Sequence, residues 1–278
     1  MVTRLLLALT GTKQSLFASE VAFKLAVKTQ ASITAQHVID TYTSWEFLRN
    51  DEPGLLASGL YTDAFTSLRH SQKNIASELI AVWKSLADKQ DVEYKCFVDE
   101  GNPVKEICKR AKNFDLVIAG HRARLQDEPE GDPWHGVKYT VAEGLAHDCP
   151  KPLLIVQQAV PKLWKKVLVL MSPNHENSNF MLACNGMAKL LGAHSEAKII
   201  ANMPPAKTDD LFLNEDFNRT LLVLPTRLVN SRRVSILDEP TELFVRRLSL
   251  PAILLWPEES AYSIEKIDET DKQVASSL

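Results

Sequence analysis

The chain lacks a strong charge of either sign, any close pair of cysteines, and any apolar run long enough to span a bilayer. With 32 Lys and Arg against 35 Asp and Glu, the formal net charge is −3. No global field therefore draws the protein to nucleic acid or to an anionic membrane, and neither is expected as a partner. The four cysteines, Cys96, Cys108, Cys149 and Cys184, are scattered, with no C-x-x-C pair. That pattern argues against a disulfide framework or a metal site and reads as small buried side chains in a reducing compartment. The apolar run Leu5 to Leu9 is too short for a signal h-region or a membrane span. It reads as a buried first strand, and the protein as cytoplasmic.

Catalytic signatures are equally scarce. No serine sits in a Gly-x-Ser-x-Gly elbow, and Ser15, Thr140 and Cys149 have no nucleophile context. His121, His135 and His147 show no metal-ligand spacing on one helix face. A binding or regulatory module is the expectation rather than an efficient enzyme.

What the chain does contain is ordinary globular text, 278 residues at 45% hydrophobic and 24% charged, enough for one large or two compact domains. Leu5 to Leu9 predicts a strand, and Phe17, Val21 and Leu25 with Ala18, Ala22 and Ala26 predict a helix packed closely on a sheet. Ser32 to Asp40 is β-rich and predicts the second strand. Thr41 to Tyr61, with Trp45 and Phe47, reads as an aromatic loop at the carboxyl edge of the sheet, able to anchor itself to the core or to dock a partner. A long amphipathic helix is predicted over Asp63 to Gln90, carrying Phe65, Leu68, Ile75, Leu79, Val82, Trp83 and Leu86. Val92 to Asp99 predicts a third strand. Asn102 and Pro103 are the N-cap and first position of the next helix. Leu116 to Ala119 and Leu153 to Val156 complete a five-strand α/β layer.

The text then begins again. Val167 to Met171 repeats the first strand, Met181 to Leu191 the first helix with Gly192 as its stop, and Glu196 to Asn202 the second strand. Only roughly sixteen residues separate Asn202 from Arg219, too few for another long helix, strand and helix. Thr220 to Pro225 matches the fourth strand and Leu250 to Trp256 the fifth. The expected organisation is a complete domain over 1–158, a truncated one over 164–256, and a polar, mobile tail over 257–278.

These blocks resemble the universal stress protein family in a tandem, two-domain form. The resemblance is carried by Leu6-Leu7-Ala8-Leu9-Thr10-Gly11-Thr12, by Gly101-Asn102-Pro103, by Asp115-Leu116-Val117-Ile118-Ala119-Gly120-His121-Arg122, and by Thr140-Val141-Ala142-Glu143 through Cys149-Pro150-Lys151-Pro152-Leu153-Leu154-Ile155-Val156. It covers residues 1–158 well and 164–256 weakly. It implies a Rossmann-like parallel sheet of the adenine-nucleotide-α-hydrolase type, strand order 3-2-1-4-5, with a crevice between Thr10-Gly11 and Gly120. The two fifth strands are expected to pair within the chain as a pseudo-dimer, with a further homodimer and an unidentified protein partner in prospect.

Family members that bind ATP carry an aspartate after strand 1 and a loop patterned Gly-x2-Gly-x9-Gly-(Ser/Thr), whose bare backbone approaches the phosphates. The positions implied here are Thr10, Gly11, Val38, Gly120, His121, Arg122, Tyr139 and Thr140. Thr10 replaces the aspartate, Ala123 the second glycine, and Tyr139-Thr140 the Gly-Ser pair. The loop between is about six residues longer than the family spacing and carries Asp127, Glu128, Glu130 and Asp132 beside Arg122, Arg124 and Lys138. In the second half Pro225 to Arg233 occupies the phosphate-loop position without a glycine, its Arg227, Arg232 and Arg233 reading as solvated surface. The expectation is a stress-response module with impaired or lost ATP binding. The alternative is a protein that binds a nucleotide, ATP with Mg2+ or AMP, or a small adenine or anionic ligand, at the first-half site and hydrolyses or senses it.

Overall fold

The computed structural model describes residues 2–44, 58–121, 140–171, 179–199, 215–229, 232–235 and 250–257. Of the loop read over Thr41 to Tyr61, residues 41–44 and 58–61 are helix, the latter opening the long helix expected to start at Asp63; residues 45–57 lie outside the described residues, as do 122–139, which include His135, and the tail beyond Pro257. Strand β1 (Arg4–Leu9) leads into α1 (Lys13–Thr29) and β2 (Ser32–Asp40). There follow α2 (Ser58–Ala87), β3 (Tyr94–Gly101), α3 (Pro103–Ala111), β4 (Leu116–Gly120), α4 (Val141–Asp148) and β5 (Leu153–Val156). The remainder is β6 (Lys166–Met171), α5 (Asn179–Leu191), β7 (His194–Ile199), β8 (Thr220–Val229), β9 (Arg232–Ser235) and β10 (Ala252–Pro257).

All ten strands among the described residues form one sheet, in the order β3-β2-β1-β4-β5-β10-β8-β6-β7, with β9 paired to β8. The first five pair in parallel in the expected 3-2-1-4-5 order. The expected pairing of the fifth strands is also present: β5 and β10 run antiparallel, Ile253 opposite Ile155 and Leu254 opposite Leu154. From there β10, β8, β6 and β7 are again parallel to one another.

Continuous apolar strands follow from burial on both faces. Leu5, Leu7 and Leu9 enter one core with Ala18, Val21 and Ala22 of α1 and Trp83 of α2. Leu6 and Ala8 enter the other with Ile107 of α3 and Leu145 of α4. Each core runs on through the second half, to Trp256 in the first and Leu255 in the second.

Trp83 anchors α2 by stacking on Phe23 at 5.5 Å and meeting Tyr94 edge-on at 5.4 Å, while its Nε1 donates to Ser19 Oγ at 3.1 Å. The inward face of α2 corrects the sequence reading. Ala76, Ile80, Trp83 and Ala87 are buried, whereas Leu68, Ile75 and Val82 are exposed. The two apolar rows share one helix, and the row containing alanines is the one that lets α2 lie close to the sheet. Other elements hold to expectation. Asn102 Oδ1 accepts from Lys105 N at 3.1 Å ahead of Pro103, and Gly192 closes α5 at φ +62°.

In the second half the stretch read as a loop from Pro225 is strand. β8 continues to Val229 and pairs antiparallel with β9, Thr226 opposite Ser235 and Val229 opposite Arg232.

An ion-pair network ties this half together. Lys166 Nζ lies 2.9 Å from Glu215 and 2.7 Å from Glu196, and Lys198 Nζ lies 3.0 Å from Glu215. Burial alone raises the Glu215 carboxyl, but hydrogen bonds and charge from the two lysines outweigh it and leave the group below its ordinary 4.5. A lowered carboxyl contributes stability above its unfolded pKa and loses it as pH falls through the folded one. Glu215→Gln should therefore cost about 1 to 2 kcal/mol at neutral pH. The difference from wild type should close in urea titrations carried progressively below the ordinary carboxylate range.

Candidate functional site

β1 pairs with β2 on one side and β4 on the other, so the chain leaves the two central strands in opposite directions and opens a crevice at their carboxyl ends. On the β1 side Thr10 N donates to Ser15 Oγ at 3.2 Å, and the Thr10 and Thr12 hydroxyls lie 3.0 Å apart. Thr12 caps α1, its Oγ1 accepting from Ser15 N at 3.2 Å. Gly11 stands at φ +69°, where a side chain is strained.

On the β4 side Gly120 abuts the first turn of α1. A Cβ built there would lie 2.4 Å from the carbonyl carbon of Gln14 and 2.5 Å from Ser15 N. The glycine read as clearance for a phosphate is thus taken up by the close approach of a helix.

Next to it lies a buried polar cluster. His121 is 2% exposed and Glu143 fully buried. His121 N donates to Val156 O at 2.9 Å, continuing the sheet by one bond. Its Nδ1 lies 3.2 Å from Thr140 Oγ1, and its Nε2 3.9 Å from Glu143 Oε1, the latter too long for a hydrogen bond. Thr140 and Glu143 form a reciprocal capping box on α4: Glu143 N donates to Thr140 Oγ1 at 3.2 Å and Thr140 N donates to Glu143 Oε2 at 2.9 Å. The positive end of α4 therefore holds a carboxylate of the protein's own. Removing the cap by Thr140→Ala should cost about 1 kcal/mol, measurable by chemical denaturation, with Thr140→Ser close to wild type.

Of the positions implied by the sequence, Thr10, Gly11, Gly120, His121 and Thr140 come together at this edge. Val38 stands one residue past His37, which is opposite Leu9, and its side chain is packed in the core with Leu6, Ala8 and Ile107. Arg122 and Tyr139 lie outside the described residues. Sequence reasoning missed Glu143 as a site residue, although Thr140-Val141-Ala142-Glu143 spells a capping box. It also missed His37, whose Nδ1 lies 2.8 Å from Leu9 O and braces the end of β1.

The remaining candidates are structural in place. Ser15 is buried beneath Thr10, and Cys149 is buried behind α4. His147 pairs with its neighbour Asp148 at 2.6 Å. Burial pushes the Cys184 thiol well above its ordinary value, away from reactivity. Among the described residues no group of His, Cys, Asp and Glu is arranged to hold a metal, and no helix is long and apolar enough to cross a membrane.

A parallel α/β sheet with its central crevice at the switch point defines a doubly wound, Rossmann-like protein. The chain belongs to the universal stress protein family, whose sequence model matches residues 1–157. No curated protein matches it. Among solved structures, a universal stress protein from Archaeoglobus fulgidus shares 16% identity over 91% of this chain and 96% of its own, with a TM-score of 0.51. UspA from Lactobacillus plantarum shares 16% over 56% of this chain and 98% of its own, at 0.42. A putative universal stress protein from Pseudomonas aeruginosa shares 12% over 96% and 97%, at 0.49.

Proposed function

We propose that the protein is a tandem universal-stress-type module of the cytoplasm that acts in stress response by binding or regulation, and that its nucleotide site is altered in the first half and lost in the second. The observation that carries this reading is the capping box at α4. The Thr140 amide, which a phosphate would need, already donates to the Glu143 carboxyl, the hydroxyl lies against the Glu143 amide and His121 Nδ1, and a second anion beside that carboxylate would be repelled. Support comes from Thr10, a neutral group where an acidic acceptor would serve adenine, and from Gly120, whose open face is filled by α1. In the second half the β8–β9 hairpin stands where a phosphate loop would be.

The tandem reading rests on strand order. β10-β8-β6-β7 follows the sequence 5-4-1-2 of the first half, without a counterpart of β3 among the described residues. The proposed units are 1–158 and 164–256, joined through β5 and β10, and a homodimer would add a second twofold. Isothermal titration of the full chain with ATP and Mg2+ should give no saturable heat. Tight binding of the triphosphate would overturn the reading in favour of a nucleotide sensor or weak hydrolase.

A further inference from the structure

Away from the crevice, α1 and α5 end together on the segment that joins the halves, and a cleft of about 610 Å³ opens there. That volume falls in the range of small-molecule sites, roughly 300 to 1,000 Å³. Val27, Pro161 and Leu163 line it with apolar surface, Lys24, Lys28, Lys162 and Lys165 line it with charge, and no carboxylate among the described residues does so.

Lysines at helix ends often serve only to offset the negative end of the dipole. Here the charge exceeds that need. Two helix ends supply about half a negative charge each, against four ammonium groups. Lys24 is committed, its Nζ donating to Val160 O at 2.5 Å. Lys28, Lys162 and Lys165 are exposed and take part in no ion pair among the described residues.

Trp164 forms part of the wall beneath the cleft. Trp164 is 2% exposed, and its buried indole Nε1–H has no acceptor among the described residues. A buried donor of this kind costs free energy unless something accepts from it.

We propose that this cleft binds a small amphipathic organic anion. Its carboxylate or phosphate head is held by Lys28, Lys162 and Lys165, and its apolar body lies against Val27, Pro161 and Leu163. The site is separate from the crevice between β1 and β4 and does not depend on what that crevice binds.

The test is isothermal titration of the full-length protein with octanoate and, separately, octyl phosphate, with octanol and inorganic phosphate as body-only and head-only controls. One of the two amphiphiles should bind one per chain, at least tenfold more tightly than either control. Lys162→Glu with Lys165→Glu should weaken that binding at least tenfold while leaving the melting temperature unchanged. Should that pair disturb folding, Lys162→Gln with Lys165→Gln gives the same reading with a smaller loss. Absence of saturable binding by both amphiphiles overturns the proposal, as does binding indifferent to the lysine substitutions or matched by either control.

Discussion

Gly120→Ala should destabilise the protein by roughly 3 kcal/mol, at the upper end of what overpacking costs, and should do so with no ligand present. The added Cβ would meet the carbonyl carbon and oxygen of Gln14 and the amide of Ser15, at 2.4 to 2.5 Å. All three are backbone atoms, so no rotamer change relieves the contact. α1 cannot swing away cheaply, because Ala18, Val21 and Ala22 on its next turns are packed in the core. The first turn is also pinned by Thr12 and Ser15. Gly186→Ala is the control: nothing lies within 4 Å of a Cβ there, and removing a helix-interior glycine should gain up to about 1 kcal/mol. Urea midpoints at constant slope measure both. A Gly120→Ala protein as stable as wild type would mean that the glycine serves something other than helix packing, and a ligand would return as the explanation.

Much of the fold was legible because its signals are local. Leu153 to Val156 is bounded by Pro152 and apolar throughout, and Asn102-Pro103 fixes a helix start without help from the rest of the chain. The face of α2 was not legible, because Ile75 and Ile80 are equally apolar and only the closeness of the sheet chooses between their rows. The hairpin after Pro225 was hidden for a different reason. A proline in strand text normally signals an edge or an end, but β6 pairing stops at Val223 while β10 continues beside Pro225. The missing amide therefore falls where the strand has only one inner neighbour. At the site, the Thr140–Glu143 pair was readable as a cap, whereas the meeting of His121 with Thr140 depends on where the fold sets the start of α4 against the end of β4, which no local pattern reports.

Leu254→Pro should have the largest effect of any single substitution in the second half, and its consequence should reach the first. β10 is bonded on both sides, Leu254 opposite Leu154 of β5 and Val223 of β8, so the proline removes a ladder bond whichever way that amide points. The backbone change costs about 3 kcal/mol or more, and the loss of a buried leucine, gauged by Leu254→Ala, accounts for about 2 to 5 kcal/mol. Together these approach the whole stability of an ordinary domain, about 5 to 15 kcal/mol. Leu154 and Leu254 belong to one core, together with Leu5 of β1 and Val167 of β6, so loss of the seam strips apolar cover from both halves. Wild-type unfolding in urea should accordingly give coincident curves by far-UV circular dichroism and tryptophan fluorescence, and Leu254→Pro should lower both signals together. Retention of about half the helical signal in the variant, with a separate later transition, would instead mean that residues 1–158 stand alone and that the second half is docked onto a finished domain.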